Sequence, residues 1–267
     1  MVIRVKMRTT ASLIRNIHRG SEIFRCARET DQWRAVTLAY LGVRNLNYPY
    51  SLKLKGLEPL TLKEVSDIWT FWQIFARQVY PLTGLESVIV DAGANVGFFT
   101  LLAARQARNC KVFAIEPAPE SYRRLVENVE KNGLADRVLC LNYGLAGQEE
   151  SRVMRVGQSR SQVQRLLPRD ATEATGSTVQ TVTLNSVLRD ITFVDMLKMD
   201  IEGGEYETLY GSSAETLRKI RRVVLEYHPD EGSSAELLSF LGKNGLTLKH
   251  DVHNSKGYGL AIMERKN

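Results

Sequence analysis

Lys198, Asp200 and Glu202 occupy alternate positions of the stretch Leu197-Lys198-Met199-Asp200-Ile201-Glu202, and His228 stands two residues after Glu226. Carboxylates and imidazoles are the side chains that take a proton from a hydroxyl nucleophile, a step worth about 10²–10⁴-fold in rate. Strand periodicity puts Lys198 and Asp200 on one side. Charges on a strand covered on both faces are costly unless they lie at a functional edge. Two readings follow. A Lys198–Asp200 pair could merely order the turn into the next helix. Alternatively the group is catalytic, with Asp200 binding the reacting molecule or removing its proton and Glu202 as the alternate; its place at a strand end favours this second reading. His228 is either a structural histidine, a base, or an orienting group beside Glu226. Asp200, Glu202 and His228 are also hard ligands of the kind that hold Mg²⁺. Their spacing does not demand a cation, and no metal site is expected.

A second constellation lies upstream. Asp91-Ala92-Gly93-Ala94-Asn95-Val96-Gly97 follows the apolar run Val88-Ile89-Val90 and precedes an apolar helix pattern. In open α/β sheets ligands bind beyond the carboxyl ends of strands, where the first turn must let backbone approach closely. Gly93 and Gly97 permit that approach, because a Cβ at either position would obstruct the turn or the ligand. The helix starting near Gly97 is expected to present unpaired N–H groups. Nineteen residues beyond Gly97, Glu116 ends the next strand and is followed by Pro117. Its two oxygens match a vicinal ribose diol. The turn lacks the GxGxxG of dinucleotide folds and the GK[ST] of P-loops. An acid before the turn, Asp91, suits a sulfonium and an amino group better than a pyrophosphate. S-adenosyl-L-methionine is therefore the expected cofactor.

Around these residues the chain alternates between strands and helices. Strands are predicted at 88–91, 112–115, 138–141, 194–199 and 223–225, with helices at 98–107, from Pro119 to Gly133, at 184–188, from Glu205 to Gly211 and at 235–241. Two final strands, 246–252 and 258–263, are joined closely enough to be antiparallel. The alternation implies a mostly parallel sheet covered by helices. Residues 147–180 break it and read as one short strand, 153–156, then an exposed loop. Its Arg152, Arg155, Arg160, Arg165 and Arg169 form either a lid over an anionic or polyhydroxylated molecule or a solvated insert. Residues 60–80 predict an amphipathic helix, with Thr61 and Glu64 at capping-box spacing and Val65, Ile68, Trp69, Trp72, Phe75 and Val79 as its core stripe. The chain thus divides into an N-terminal extension, 1–81, and a cofactor-binding domain, 82–267.

The 267 residues, 43% hydrophobic and 25% charged, suit a globular protein with a substantial core. No apolar run reaches the ~18 residues of a membrane span. Three cysteines, Cys26, Cys110 and Cys140, are too scattered for a metal knuckle and fit a reducing compartment, so a cytoplasmic location is expected. Much of the net charge of +6 sits in the first 28 residues. That segment is read as a solvated or substrate-facing extension, with a targeting peptide or membrane-surface helix as the alternative. The near balance elsewhere argues against a broad nucleic-acid groove.

The motifs together resemble the FkbM family of methyltransferases. The likeness rests on Asp91 to Gly97, Glu116-Pro117, Leu197-Lys198-Met199-Asp200-Ile201-Glu202-Gly203-Gly204-Glu205 and Glu226-Tyr227-His228, in order across residues 86–230. The resemblance implies a Rossmann-like class I methyltransferase fold, with a seven-stranded sheet whose C-terminal strand is antiparallel. It implies cofactor contacts from Asp91, Gly93, Ala94, Asn95, Gly97, Glu116 and Pro117, with Asn142 or Gly144 beside the adenine. Gly204 stands where the family more often has alanine. Relatives of this kind O-methylate sugars or natural-product scaffolds, so a small-molecule or glycan acceptor is implied. An N- or RNA methyltransferase, a nicotinamide-dependent oxidoreductase and a nucleoside-binding protein without turnover are the rival readings.

Overall fold

The computed structural model describes residues 20–156, 164–167, 176–254 and 257–266. The chain divides into two compact units, Met1–Pro81 and Leu82–Asn267. In the first, helices α1 (Gly20–Glu29) and α2 (Trp33–Tyr40) precede an antiparallel hairpin of β1 (Tyr50–Leu52) and β2 (Leu60–Leu62). Helix α3 (Val65–Phe71) then runs directly into a π-helical stretch, Trp72–Arg77, which Gln78 ends in the left-handed region.

The single helix predicted over 60–80 is thus replaced by a strand, a shorter helix and a π-helix. Thr61 pairs with Ser51 in the hairpin, and the N-cap position of α3 is Glu64. Asp67 instead accepts the N–H of Lys63 at 2.6 Å. The wider π turn rotates later residues out of a 3.6-residue phase. In the α-helical part before it Val65 and Trp69 lie 51% and 43% exposed, while Phe71, Trp72 and Phe75 are buried. Tyr40 stacks on Trp72 with ring centroids 4.2 Å apart. Within α1, Glu22 accepts from the Trp72 indole and pairs with Arg77, and Arg25 donates to the Ala76 carbonyl. Residues 1–19 of the basic segment lie outside the described residues.

In the second unit β3 (Val88–Ala92), α4 (Phe98–Gln106), β4 (Lys111–Ile115), α5 (Pro119–Lys131) and β5 (Val138–Leu141) alternate as expected. Pro119 opens α5 and Gly133, at φ 63°, follows its end. Strands β6 (Gly144–Leu145), β7 (Ser151–Val156), β8 (Gln164–Leu166) and β9 (Ser177–Val182) come next. They form a separate four-stranded sheet in the order β6-β9-β7-β8, so the stretch read as a loop holds ordered strands. Polar residues suffice for β7, β8 and β9 because they pair with one another around a small core of Met154 and Val179.

The chain continues through α6 (Leu184–Val187), β10 (Met196–Met199), α7 (Glu205–Tyr210), α8 (Ala214–Arg218), β11 (Arg222–Tyr227), a 3₁₀ turn at Pro229–Glu231, α9 (Ser234–Lys243), β12 (Leu246–His253) and β13 (Gly259–Arg265). Thr183, Ser213 and Ser233 cap α6, α8 and α9 by accepting backbone N–H groups. The main sheet has seven strands in the order β12-β13-β11-β10-β3-β4-β5. Neighbours from β11 to β5 are parallel, and β13 is antiparallel to both β11 and β12. This is the α/β, Rossmann-like arrangement, with the last strand reversed. Ile89, Val90, Ala92, Leu197, Met199, Val223 and Leu225 form its fully buried centre. Among the described residues no helix is long and apolar enough to cross a membrane.

Candidate active site

The carboxyl ends of β3, β4, β10 and β11 meet at one edge of the main sheet, and the two constellations meet there. The turn after β3 is tightly self-bonded. Gly93 and Ala94 both donate to the Ile115 carbonyl at 3.0 Å, and Gly97 donates to Ala94 at 2.8 Å. The Asn95 N–H goes to Glu116 Oε2 at 2.8 Å. The N–H groups of these four turn residues are therefore taken up within the protein, including that of Gly97, where the helix was expected to begin presenting unpaired ones. Both glycines have an internal reason. A Cβ on Gly93 would sit 1.9 Å from the Asp200 carbonyl oxygen, and one on Gly97 would sit 2.7 Å from Leu125 Cδ1. Close packing against the loop after β10 and against α5 thus sets their size.

Asp91 is also corrected. Its carboxylate is fully buried, pairs with Lys198 Nζ at 3.0 Å and accepts the Thr100 hydroxyl at 2.6 Å. A carboxylate neutralised in this way does not offer its charge to a sulfonium. Lys198, expected beside Asp200, reaches across to β3, where Asp91 is its register neighbour. Its ammonium also donates to the carbonyls of Ala92 and Gly93 at 3.1 and 2.7 Å. Burial works against that charge, but the carboxylates of Asp91 and Asp200 outweigh it and raise the Lys198 pKa. Lys198 is thus a clamp between β10 and the turn.

Glu116 is almost fully buried at the end of β4. Oε1 accepts the Ala118 N–H at 2.9 Å, and each oxygen keeps lone-pair capacity beyond its one backbone bond. Burial pushes its pKa up to about 7, against the lowering effect of the hydrogen bonds from Ala118 and Asn95. Pro117 is half-buried beside it. Asn142 donates to the carbonyls of Glu116 and Pro117 at 2.8 and 3.1 Å, so it positions this loop. Gly144 is buried within the small sheet, where a Cβ would meet Leu166 Cδ1 at 2.9 Å. Its size serves that contact, and Tyr143, 41% exposed, is the surface neighbour instead.

Beyond β10 the fold brings Asp200, Glu202 and His228 together, with one potential ligand atom from each lying within 4.8 Å of the others. His228 follows β11; its Nε2 is 3.4 Å from Glu202 Oε2 and its Nδ1 3.2 Å from Glu205 Oε1. Burial would lower the imidazole pKa, but bonds to Glu202 and Glu205 and the charges of Glu205 and Asp200 push it up to about 11. Held between two carboxylates, His228 is placed to orient them. Burial, followed by the Asp200 charge, raises the Glu202 pKa.

Glu205 was not singled out from the sequence. It opens α7 with no exposed surface, and Oε1 also accepts the Ile201 N–H at 2.9 Å. A fully buried acid at a helix start was legible as an N-terminal charge, but its partner 23 residues away was not. Arg152 is no lid residue: it is buried, bonded to the Leu167 carbonyl and paired with Glu207. Arg165 pairs with Glu231 at 2.8 Å. Arg160 and Arg169 lie outside the described residues.

Known proteins share this pattern. The methyltransferase FkbM domain matches residues 91–256. The chain is 26% identical over 237 residues to the methyltransferase sdnD of Sordaria araneosa, covering 77% of this chain and 92% of that protein. It is 28% identical over 210 residues to the 31-O-demethyl-FK506 methyltransferase FkbM of Streptomyces tacrolimicus, covering 66% and 80%. A third relative is the hexuronic acid methyltransferase AglP of Haloferax volcanii, 26% identical over 181 residues, covering 63% and 69%. The domain match spans the turn after β3, Glu116 and the cluster around His228, and the chain belongs to the FkbM family of methyltransferases.

Proposed function

We propose that this chain transfers a methyl group from S-adenosylmethionine to a hydroxyl oxygen of a sugar, glycan or natural-product acceptor. The observation that carries the reading is Glu116, a buried carboxylate at the end of the second parallel strand. Each of its oxygens has one backbone N–H and capacity left for a ribose hydroxyl, which fits a nucleoside cofactor. When bound, the cofactor supplies an electrophilic methyl on a sulfonium. The chain's own residues supply position and proton management. Glu116 holds the ribose, while the Lys198–Asp91 clamp fixes the turn that shapes the pocket. Asp200 faces the acceptor and takes the hydroxyl proton, with Glu202 as the alternate acceptor of that proton. His228 lies between Glu202 and Glu205 and orients the acid cluster. The 31-O-demethyl-FK506 methyltransferase relative supports an oxygen acceptor, and the hexuronic acid methyltransferase relative supports a sugar one.

The test is transfer of labelled methyl from S-adenosylmethionine to a panel of hexuronosides, neutral glycosides and macrocyclic alcohols, with amines and RNA as comparators. A methyl ether on one of the hydroxyl acceptors is expected. Methylation confined to amines or RNA would overturn the acceptor class.

A further inference from the structure

We infer that Asp200, Glu202 and His228 bind one divalent first-row cation, with Glu205 as the carboxylate behind the histidine, and that the cation's open positions take oxygens of the acceptor. The acceptor half rests on the proposed function; the cation half does not. The three donor atoms lie within 4.8 Å of one another, and opposite ligands on such a cation are about 4.2 Å apart at bond lengths near 2.1 Å. Small side-chain movements close that gap.

Two further features point to a cation. The first is the aim of the imidazole. Its Nδ1 faces Glu205 Oε1 at 3.2 Å and its Nε2 faces the acid pair, with Glu202 at 3.4 Å. Histidines that ligate metals characteristically donate their other ring N–H to a carboxylate in this way, which fixes the ring and raises its basicity. The second is the other oxygen of the same Glu205. Glu205 has no exposed surface, and its Oε2 has no hydrogen-bond partner among the described residues. A buried carboxylate oxygen without a partner is expensive. Three carboxylates around one imidazole leave an excess of negative charge at a half-buried site, and a dication reduces it.

Coordination removes the proton from Nε2 to solvent, and Nδ1–H stays with Glu205. Two carboxylates and one imidazole suit Mn²⁺, Fe²⁺ or Zn²⁺ better than Ca²⁺. The loop that carries the acids is anchored, because Gly93 packs directly on the Asp200 carbonyl. A cation here therefore lies beside the turn after β3, where a Lewis acid would make an acceptor hydroxyl more acidic.

The experiment is a Mn²⁺ titration of the chelator-stripped full chain, read by loss of the free-ion electron paramagnetic resonance signal. One tight Mn²⁺ per chain is expected. Glu202→Gln should weaken it at least tenfold, and Glu205→Gln by about 10–100-fold. The surface control Glu236→Gln should leave it unchanged. Thermal melts and S-adenosylhomocysteine affinity, measured in parallel, verify that each variant is folded. No signal loss at millimolar Mn²⁺, or equal binding by folded Glu202→Gln and Asp200→Asn proteins, overturns the site. Intact Mn²⁺ binding with no S-adenosylhomocysteine binding would instead sink the cofactor reading alone. Methyl transfer unaffected by chelation in a Mn²⁺-binding protein overturns the acceptor half.

Discussion

Glu116 must be ionised to accept two ribose hydroxyls, and burial places its pKa at about 7. Below that pH the group takes up a proton and loses acceptor capacity; above it the anion is complete. Affinity for S-adenosylhomocysteine should therefore be flat above pH 7 and fall as the pH drops, by up to about tenfold per unit. Calorimetric titrations from pH 5.5 to 8.5 check this, and a flat profile contradicts it. Asp200→Asn should lower turnover by about 10²–10⁴-fold while cofactor affinity stays within a few-fold; wild-type-like turnover removes the base assignment. At this scale the sequence was informative about residue types and weaker about partners. Asp200, Glu202 and His228 were legible as one group, because all end strands of a parallel sheet. Asp91 was legible as important, but its partner Lys198 lies 107 residues on, and only the β3–β10 register reveals it.

That register makes the clamp a property of two elements. Asp91 and Lys198 are side by side on parallel strands, both nearly without exposed surface. Removing one partner strands a buried charge. Lys198→Met should cost about 3–5 kcal/mol, and adding Asp91→Leu should recover part of that loss. Denaturant unfolding of the two variants measures the difference; a double variant no more stable than the single contradicts the pairing. Element boundaries in the main sheet were readable because buried parallel strands are short apolar runs closed by Gly, Pro or an acid. Of the small sheet only β7 was, as the short strand 153–156; β8 and β9 are polar strands that pair within that sheet. Nor was the π-helix: periodicity assumes 3.6 residues per turn, and Trp72–Arg77 break that assumption.

Across the whole molecule, the order of assembly follows from where the last strand sits. β13 lies between β11 and β12, so the main sheet is continuous only when the final residues are in place. Arg265 fastens them, donating to the carbonyls of Ile220, Asn244 and Leu217. A chain ending at Tyr258 should lose cooperative thermal unfolding, because the hydrogen-bonding edges of β11 and β12 that face β13 are left unpaired. A sharp melt at the full-length temperature contradicts this. The reversed final strand was readable from the short connection before it.

The most direct measurement is calorimetric titration of the full-length protein at pH 8 with S-adenosylhomocysteine and with NAD, beside the Glu116→Ala variant. One S-adenosylhomocysteine per chain, no heat with NAD and at least about tenfold weaker binding by the folded variant are expected. Absence of S-adenosylhomocysteine binding, or equal binding by Glu116→Ala, would contradict the assignment of this sheet edge to a methyl donor.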